Sequence, residues 1–419
     1  MSFILYRFGI WTYFHLIKGL SPVLPAAKKW TEGRKNLDNE LASVEAKRDG
    51  SKTIWIHCSS LGEFEQGRPV IERIKSEHPD EKICLSFFSP SGYDIRRNYE
   101  LADFVVYFPS DIPSELNNFL NKIEPKLALF VKYDFWWNTL AELQNRKIPT
   151  YFFSCIIRDK HWITKWYSGF ARNILKGVTA IFTQDKESCE RLKKIGLSRA
   201  QFAGDTRIDR VLEIASKPIK RPEIEKFCDD DHIIICGSTW PQDHRIIFQS
   251  IDWSISKGWK WIIAPHQMSE KEFLILEEKF QNRIIRYSAL EMQSHVSPQV
   301  KVLLVDRIGM LNTLYYYADA VYIGGGFGKG IHNTLEPLSF LKPLAFGPKY
   351  ENFSEAVRAV NNKYAKVIHH PADMLAFMEE QKLTENSKQE ETRRIIEGDL
   401  LRYSGATEIV YKAIKSHFS

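Results

Sequence analysis

The chain has 419 residues, 44% of them hydrophobic and 26% charged, with a formal net charge of +6. That length exceeds one ordinary core and implies about two domains, in a composition typical of folded proteins. The mild positive excess suits an anionic partner such as a phosphorylated lipid, a membrane surface or a nucleotide. The basic residues do not cluster beyond a collar near the amino terminus, so a nucleic-acid binder is not expected. Six cysteines, at 58, 84, 155, 189, 228 and 236, have no metal-ligand spacing and read as reduced core residues of a cytosolic compartment.

Residues 3 to 17, FILYRFGIWTYFHLI, are strongly apolar but include Arg7 and His15. A full span wants roughly 20 apolar residues, so the run reads as a helix lying in the cytoplasmic leaflet. Pro22 and Pro25 end that helix at about Leu20, and Lys18, Lys28, Lys29, Arg34 and Lys35 form a collar for lipid phosphates. A single spanning helix, or an apolar helix packed on the protein's own second domain, are the other ways to read it.

TIWIH (53–57) is a short strand, followed by Leu61-Gly62-Glu63 as a turn and helical spacing from Phe64 to Glu77. Glu63 therefore stands at a strand-to-helix junction, the place where open α/β sheets hold ligands. A carboxylate there is either a general base or an ordinary helix-start charge. Strands follow at 83–87, 104–108, 127–131, 148–154 and 180–183. Ser89-Pro90-Ser91-Gly92 is a polar loop able to touch phosphate or sugar hydroxyls. Lys132 and Asp134 flank the end of the fourth strand. Arg158, His161, Trp162, Lys165 and Trp166 follow the fifth, where the mixture of aromatic and basic residues serves a headgroup, a sugar or plain packing. The repeated strand, loop, helix order predicts a parallel sheet covered on both faces.

FAGDTRIDRV (202–211) marks a crossing between domains, and the pattern restarts at 233–236, 261–264, 284–287, 302–305 and 320–323. Gly237-Ser238-Thr239-Trp240 offers backbone donors and hydroxyls for a phosphate. The richest stretch is 319–352. Its strand runs into Gly324, Gly325, Gly326, Gly328 and Gly330, with Lys329 among them, and then His332, Asn333 and Glu336 at a helix start. Such a loop lets backbone approach a ligand closely and presents free N–H groups to an anion. Residues 375–419 read as helical apart from the loop at Ser404 and Gly405.

The chain resembles the 3-deoxy-D-manno-octulosonic acid (Kdo) transferase family of lipopolysaccharide synthesis over nearly its whole length. The resemblance is carried by Trp30-Thr31-Glu32-Gly33-Arg34, His57-Cys58-Ser59-Ser60-Leu61-Gly62-Glu63, Ser89-Pro90-Ser91-Gly92, Gly204-Asp205-Thr206-Arg207-Ile208-Asp209 and Gly330-Ile331-His332-Asn333-Thr334-Leu335-Glu336-Pro337 with Gly347-Pro348. It implies the GT-B fold, two Rossmann-like α/β domains facing a cleft behind an amino-terminal apolar, membrane-associating helix. The expected division is 1–35 membrane segment, 36–205 acceptor domain, 206–395 CMP-Kdo domain and 396–419 a helix packing back on the first domain. It also implies inverting transfer of Kdo from CMP-Kdo to the 6′ hydroxyl of a lipid A disaccharide precursor, without metal or other cofactor, at the cytoplasmic face of a bacterial inner membrane. By this resemblance Glu63 is the catalytic base. Ser238, Thr239, His266, Gly326, Lys329, Asn333 and Glu336 are expected at the donor, and Ser60, Ser89, Ser91, Lys132, Asp134 and Arg158 at the acceptor. Arg207 is expected to pair with a carboxylate or phosphate.

The chain departs from the family at Pro265-His266-Gln267-Met268-Ser269, where relatives carry Arg-His-x-x-Arg, and at Lys132-Tyr133-Asp134-Phe135-Trp136-Trp137, where they carry Glu-x-Glu-x-Trp-Pro. The alternatives are another GT-B sugar-nucleotide enzyme, such as an epimerase, and a catalytically inactive lipid-binding scaffold.

Overall fold

TIWIHC and PKLALFV are apolar at nearly every position, and both fold as strands buried on both faces, as a helix-covered parallel sheet requires. The computed structural model describes residues 3–229, 231–293 and 295–418; residues 1–2 of the expected membrane segment and residue 419 of the expected final helix lie outside them. The chain divides into two units, Met1–Asp209 with Tyr403–Ser419, and Arg210–Arg402.

The first unit holds β1 (Thr53–Cys58), β2 (Lys82–Phe87), β3 (Phe104–Tyr107), β4 (Pro125–Val131), β5 (Thr150–Cys155), β6 (Ala180–Thr183) and β7 (Ala200–Phe202). All pair in parallel, in the order β3-β2-β1-β4-β5-β6-β7. The chain runs outward from β1 through β2 to β3, then returns to the other side of β1 as β4. The crevice beyond the carboxyl ends of β1 and β4 is thus the topological switch point, where such sheets bind ligands.

Eight helices of this unit bear on function: α1 (Phe3–Leu20), α2 (Pro25–Gly33), α3 (Leu37–Lys47), α4 (Leu61–Glu77), α5 (Pro90–Arg96), α6 (Pro113–Ile123), α7 (Trp137–Asn145) and α8 (Gly169–Lys176). One core layer gathers Trp55, Phe108, Phe119, Phe130 and Phe152. The other packs Ile54, Ile56, Phe64 and Leu85 against the returning helix Ala406–Ile414. Val410 and Ile414 are fully buried there, each contributing about 1.5–3 kcal/mol.

The second unit holds β8 (His232–Thr239), β9 (Trp259–Pro265), β10 (Ile284–Arg286), β11 (Val302–Leu304), β12 (Ala320–Ile323), β13 (Leu344–Phe346) and β14 (Ala365–Val367). The order is β10-β11-β9-β8-β12-β13-β14, again all parallel. The chain leaves β8 on the β9 side and returns on its other side as β12. The second switch point therefore lies at the ends of β8 and β12.

Three expectations change. No helix among the described residues is long and apolar enough to cross a membrane, so a spanning reading of residues 3–20 has no support. Pro25 does not merely stop α1; it takes the first position of α2, where its missing N–H costs nothing. Arg34 is no part of an open basic collar. Its guanidinium lies 3.9 Å over the Trp30 ring and donates to the carbonyls of Phe108 (2.9 Å), Phe88 (2.8 Å) and Trp30 (3.3 Å), closing the ends of β2 and β3.

Candidate active site

At the first switch point, helix α4 starts at Leu61, three residues before the expected Phe64, and takes in the turn read at 61–63. Ser60 is its N-cap and accepts from the Glu63 N–H at 3.4 Å. Glu63 therefore lies inside the first helical turn, and its carboxylate reaches back to accept from the Ser59 N–H at 2.5 Å. That bond, the helix start and nearby Lys132 and His57 favour the ionised form. Burial opposes it, helped by the negative charge of Asp134, and the balance raises the Glu63 pKa above the ordinary carboxylate range.

Asp134 is the hub of this cluster. Its Oδ2 accepts from His57 Nε2 at 2.8 Å, from Trp136 Nε1 at 2.9 Å and from the Ser59 hydroxyl. Burial pushes its pKa up, but the bonds from His57, Ser59 and Trp136 outweigh that and hold it down. Behind it runs a buried relay. Trp55 Nε1 donates to Ser86 Oγ at 2.8 Å, and Ser86 Oγ lies 2.8 Å from His57 Nδ1. The donors balance when His57 carries its proton on Nε2. Ser59 thus bridges the two carboxylates, its N–H on Glu63 and its hydroxyl on Asp134.

Ser89 caps α5, lies 2.9 Å from Ser91 Oγ, and ties to the cluster through its own N–H on Ser59 O at 2.8 Å. Ser60, Ser89, Ser91, Lys132 and Asp134 thus gather around Glu63 at the ends of β1, β2 and β4. Arg158 lies in the exposed loop after β5. Arg207 is held by Asp205 through contacts of 2.6 and 3.1 Å.

At the second switch point Ser238 has a left-handed φ of 54° and Thr239 is buried with its hydroxyl unpartnered. The glycine loop leaves β12 directly against them. A Cβ on Gly324 would meet Ser238 O at 2.4 Å and Thr239 Cα at 2.5 Å, so only glycine fits. Asp243 locks the arrangement, accepting from Trp240 N–H (2.8 Å), Gly325 N–H (3.0 Å) and Tyr322 OH (2.7 Å). Burial raises its pKa despite those three bonds.

Trp240, His266 and His332 form a stack, with ring centroids 4.6 Å apart for Trp240–His266 and 4.3 Å for His266–His332. Trp240 Nε1 donates to His332 Nε2 at 2.7 Å, which leaves the imidazole proton on Nδ1. Burial and the neighbouring His266 lower the His332 pKa to about 4. Asn333, just before the Thr334 N-cap of the helix Leu335–Ser339, accepts from the Leu335 N–H (3.0 Å) and orients Glu336 Oε1 with its amide (3.0 Å). Gly326 is buried against Gly347, and Lys329 is exposed at the loop tip. Ser238, Thr239, His266, Gly326, Asn333 and Glu336 thus share the strand-end face of this unit.

His57, Asp243 and His332 have site roles that sequence reasoning did not assign. Only the strand pairing brings His57 to Asp134 and Asp243 to Gly325.

Residues 34–210 match the family model described as 3-Deoxy-D-manno-octulosonic-acid transferase (kdotransferase). A 3-deoxy-D-manno-octulosonic acid transferase of Haemophilus influenzae is 26% identical over 73% of this chain and 73% of its own. Its counterpart from Chlamydia trachomatis is 25% identical over 74% of each. Over these residues the chain is similar to the Kdo transferase family. A bifunctional glycosyltransferase/methyltransferase of Fusobacterium nucleatum is 27% identical over 73% of this chain, which spans about half (49%) of that longer protein. In fold, the UDP-GlcNAc 2-epimerase of Neisseria meningitidis superposes with a TM-score of 0.59 at 16% identity, over 87% of this chain and 100% of its own. A glycosyltransferase of Rickettsia africae gives 0.54 at 12% identity, over 87% and 99%. The two parallel sheets flanked by helices match a GT-B-like α/β fold.

Proposed function

We propose that this chain is a Kdo transferase that moves Kdo from CMP-Kdo to the 6′ hydroxyl of a lipid A disaccharide precursor (lipid IVA), with inversion, and that Glu63 is the general base. The observation that carries the reading is the state of Glu63. It is a half-buried carboxylate at a switch point, raised in pKa by burial and Asp134, yet fixed by one backbone donor. A base is most effective when its pKa lies near the working pH, and this environment moves a carboxylate in that direction.

In the proposed step Glu63 takes the proton of the 6′ hydroxyl as that oxygen bonds the anomeric carbon of Kdo. The bond from that carbon to the phosphate oxygen breaks, and CMP leaves with the electron pair. The strand-end face of the second unit would receive CMP-Kdo. Ser238, Thr239, the glycine loop with Gly326, and Lys329 would meet the leaving phosphate. Asn333 and Glu336 would meet ribose or Kdo hydroxyls, and His266 the phosphate. Lys132, Ser60, Ser89, Ser91 and Arg158 would meet the acceptor.

The same reading puts α1 on a cytoplasmic membrane surface. Phe3, Tyr6, Ile10, Phe14 and Ile17 form its inward stripe, while Ile4, Leu5, Phe8, Trp11, Leu16 and Leu20 remain exposed. A helix with apolar residues all round and one stripe on protein needs a second apolar surface. Lys18, Lys28, Lys29 and Lys35 complete the collar without Arg34.

The test is to incubate the purified chain in detergent with CMP-Kdo and the lipid disaccharide, and to read the lipid mass. Gain of one Kdo mass per step supports the reading, and the number of steps gives the number of additions. No gain with CMP-Kdo, or turnover of a UDP-sugar instead, overturns it.

A further inference from the structure

We propose that the loop 158–168, which follows β5, is a second membrane contact, with Trp166 as its interfacial anchor and a bilayer carrying anionic headgroups as its occupant. Trp166 is 89% exposed and Tyr167 44% exposed, side by side. They do not hang on a frayed tip. Ser168 Oγ lies within hydrogen-bonding distance of Ile163 O (2.7 Å) and Lys165 O (2.6 Å), donating its one proton between them, and Arg172 donates to the same carbonyls at 3.0 and 2.5 Å. Ile163 is fully buried, and Trp162 packs edge-on against Trp137 at 5.5 Å. The loop is thus a braced platform that holds a tryptophan out into solvent, and large amphipathic aromatics in that setting partition to membrane interfaces.

Charge selects the occupant. Residues 158–172 contain Arg158, Lys160, Lys165 and Arg172 against one acid, Asp159, and Arg191 pairs with that acid at 2.5 Å. Lysines beside exposed aromatics suit anionic lipid headgroups. Position supports the same occupant. Phe170, in the first turn of α8, packs on Tyr6 of α1 with ring centroids 6.4 Å apart, so the platform adjoins the exposed Ile4, Leu5 and Phe8. On its other side the His161 ring meets Tyr133 at 5.4 Å, between Lys132 and Asp134. A lipid contact here would place the bilayer surface beside the entrance to the Glu63 cluster.

The inference rests on the membrane reading of α1, and one experiment separates the two. All six cysteines are buried, so Trp166→Cys in the full-length chain can be labelled alone with an environment-sensitive fluorophore. It is then mixed with phosphatidylcholine vesicles with or without phosphatidylglycerol, and cosedimentation is read beside the emission. The expected result is a blue shift on phosphatidylglycerol vesicles, with Trp166→Ser binding them roughly tenfold more weakly. Lys160→Glu with Lys165→Glu should weaken the dependence on phosphatidylglycerol, leaving the part due to the collar of α1, while thermal unfolding is unchanged. Cosedimentation without any shift, or full binding by Trp166→Ser, overturns the second contact and leaves α1 as the anchor. Absence of cosedimentation overturns both.

Discussion

Substituting Gly324 by alanine tests the proposed donor site through packing alone. The added Cβ would lie 2.4 Å from Ser238 O and 2.5 Å from Thr239 Cα, both of them backbone atoms that cannot rotate aside. Comfortable contacts are about 3.5 Å, so the loop or the end of β8 must move by roughly 1 Å. Overpacking of this kind costs about 1–3 kcal/mol, or several degrees of melting temperature for a unit of this size. A displacement of that size in a site that positions a reacting group lowers kcat/KM about 100-fold. Gly328 is the internal control. A Cβ there meets nothing nearer than Gly325 O at 3.5 Å, an ordinary contact. Gly328→Ala should therefore keep wild-type stability and CMP-Kdo KM. The assay is thermal unfolding together with steady-state transfer from CMP-Kdo. Equal behaviour of the two variants would refute the reasoning that the glycine loop is pinned against β8 at a binding face.

The charges around Glu63 have opposite, measurable signs. Asp134 raises the Glu63 pKa, so Asp134→Asn should move the acid limb of the kcat/KM profile to lower pH. Lys132 lowers it, so Lys132→Met should move that limb to higher pH. Shifts in the same direction would show that the limb belongs to another group. Arg34→Lys should destabilise the first unit by about 2–4 kcal/mol in thermal unfolding, because an ammonium cannot serve the carbonyls of Phe88 and Phe108 together. A variant as stable as wild type would return Arg34 to the exposed collar.

Much of the fold was legible because the sheet strands are apolar runs ended by glycine, proline or serine. Ala180–Thr183 and Ala320–Ile323 have the bounds that their sequences suggest. β7 and β14 were not legible. AQF and AKV are three residues long with a polar centre, and only pairing to β6 and β13 makes them strands. α2 and α3 were hidden because Pro25 reads equally as a stop and as a helix start, and Arg34 because an arginine beside lysines reads as surface charge. Glu63 was visible from its place after β1. The groups that set its chemistry were not. Asp134 and His57 are 77 positions apart, and Asp243 is 82 from Gly325, so both contacts exist only through sheet order.

The most direct test of the central claim is the rate of Kdo transfer by Glu63→Ala, measured beside the wild type by lipid mass with saturating CMP-Kdo. Loss of a general base predicts a fall of roughly 10²–10⁴-fold with CMP-Kdo binding retained. That retention is expected because Glu63 lies in the first unit and the proposed donor residues in the second. A variant that transfers Kdo within about tenfold of the wild-type rate would contradict the assignment of Glu63 as the base.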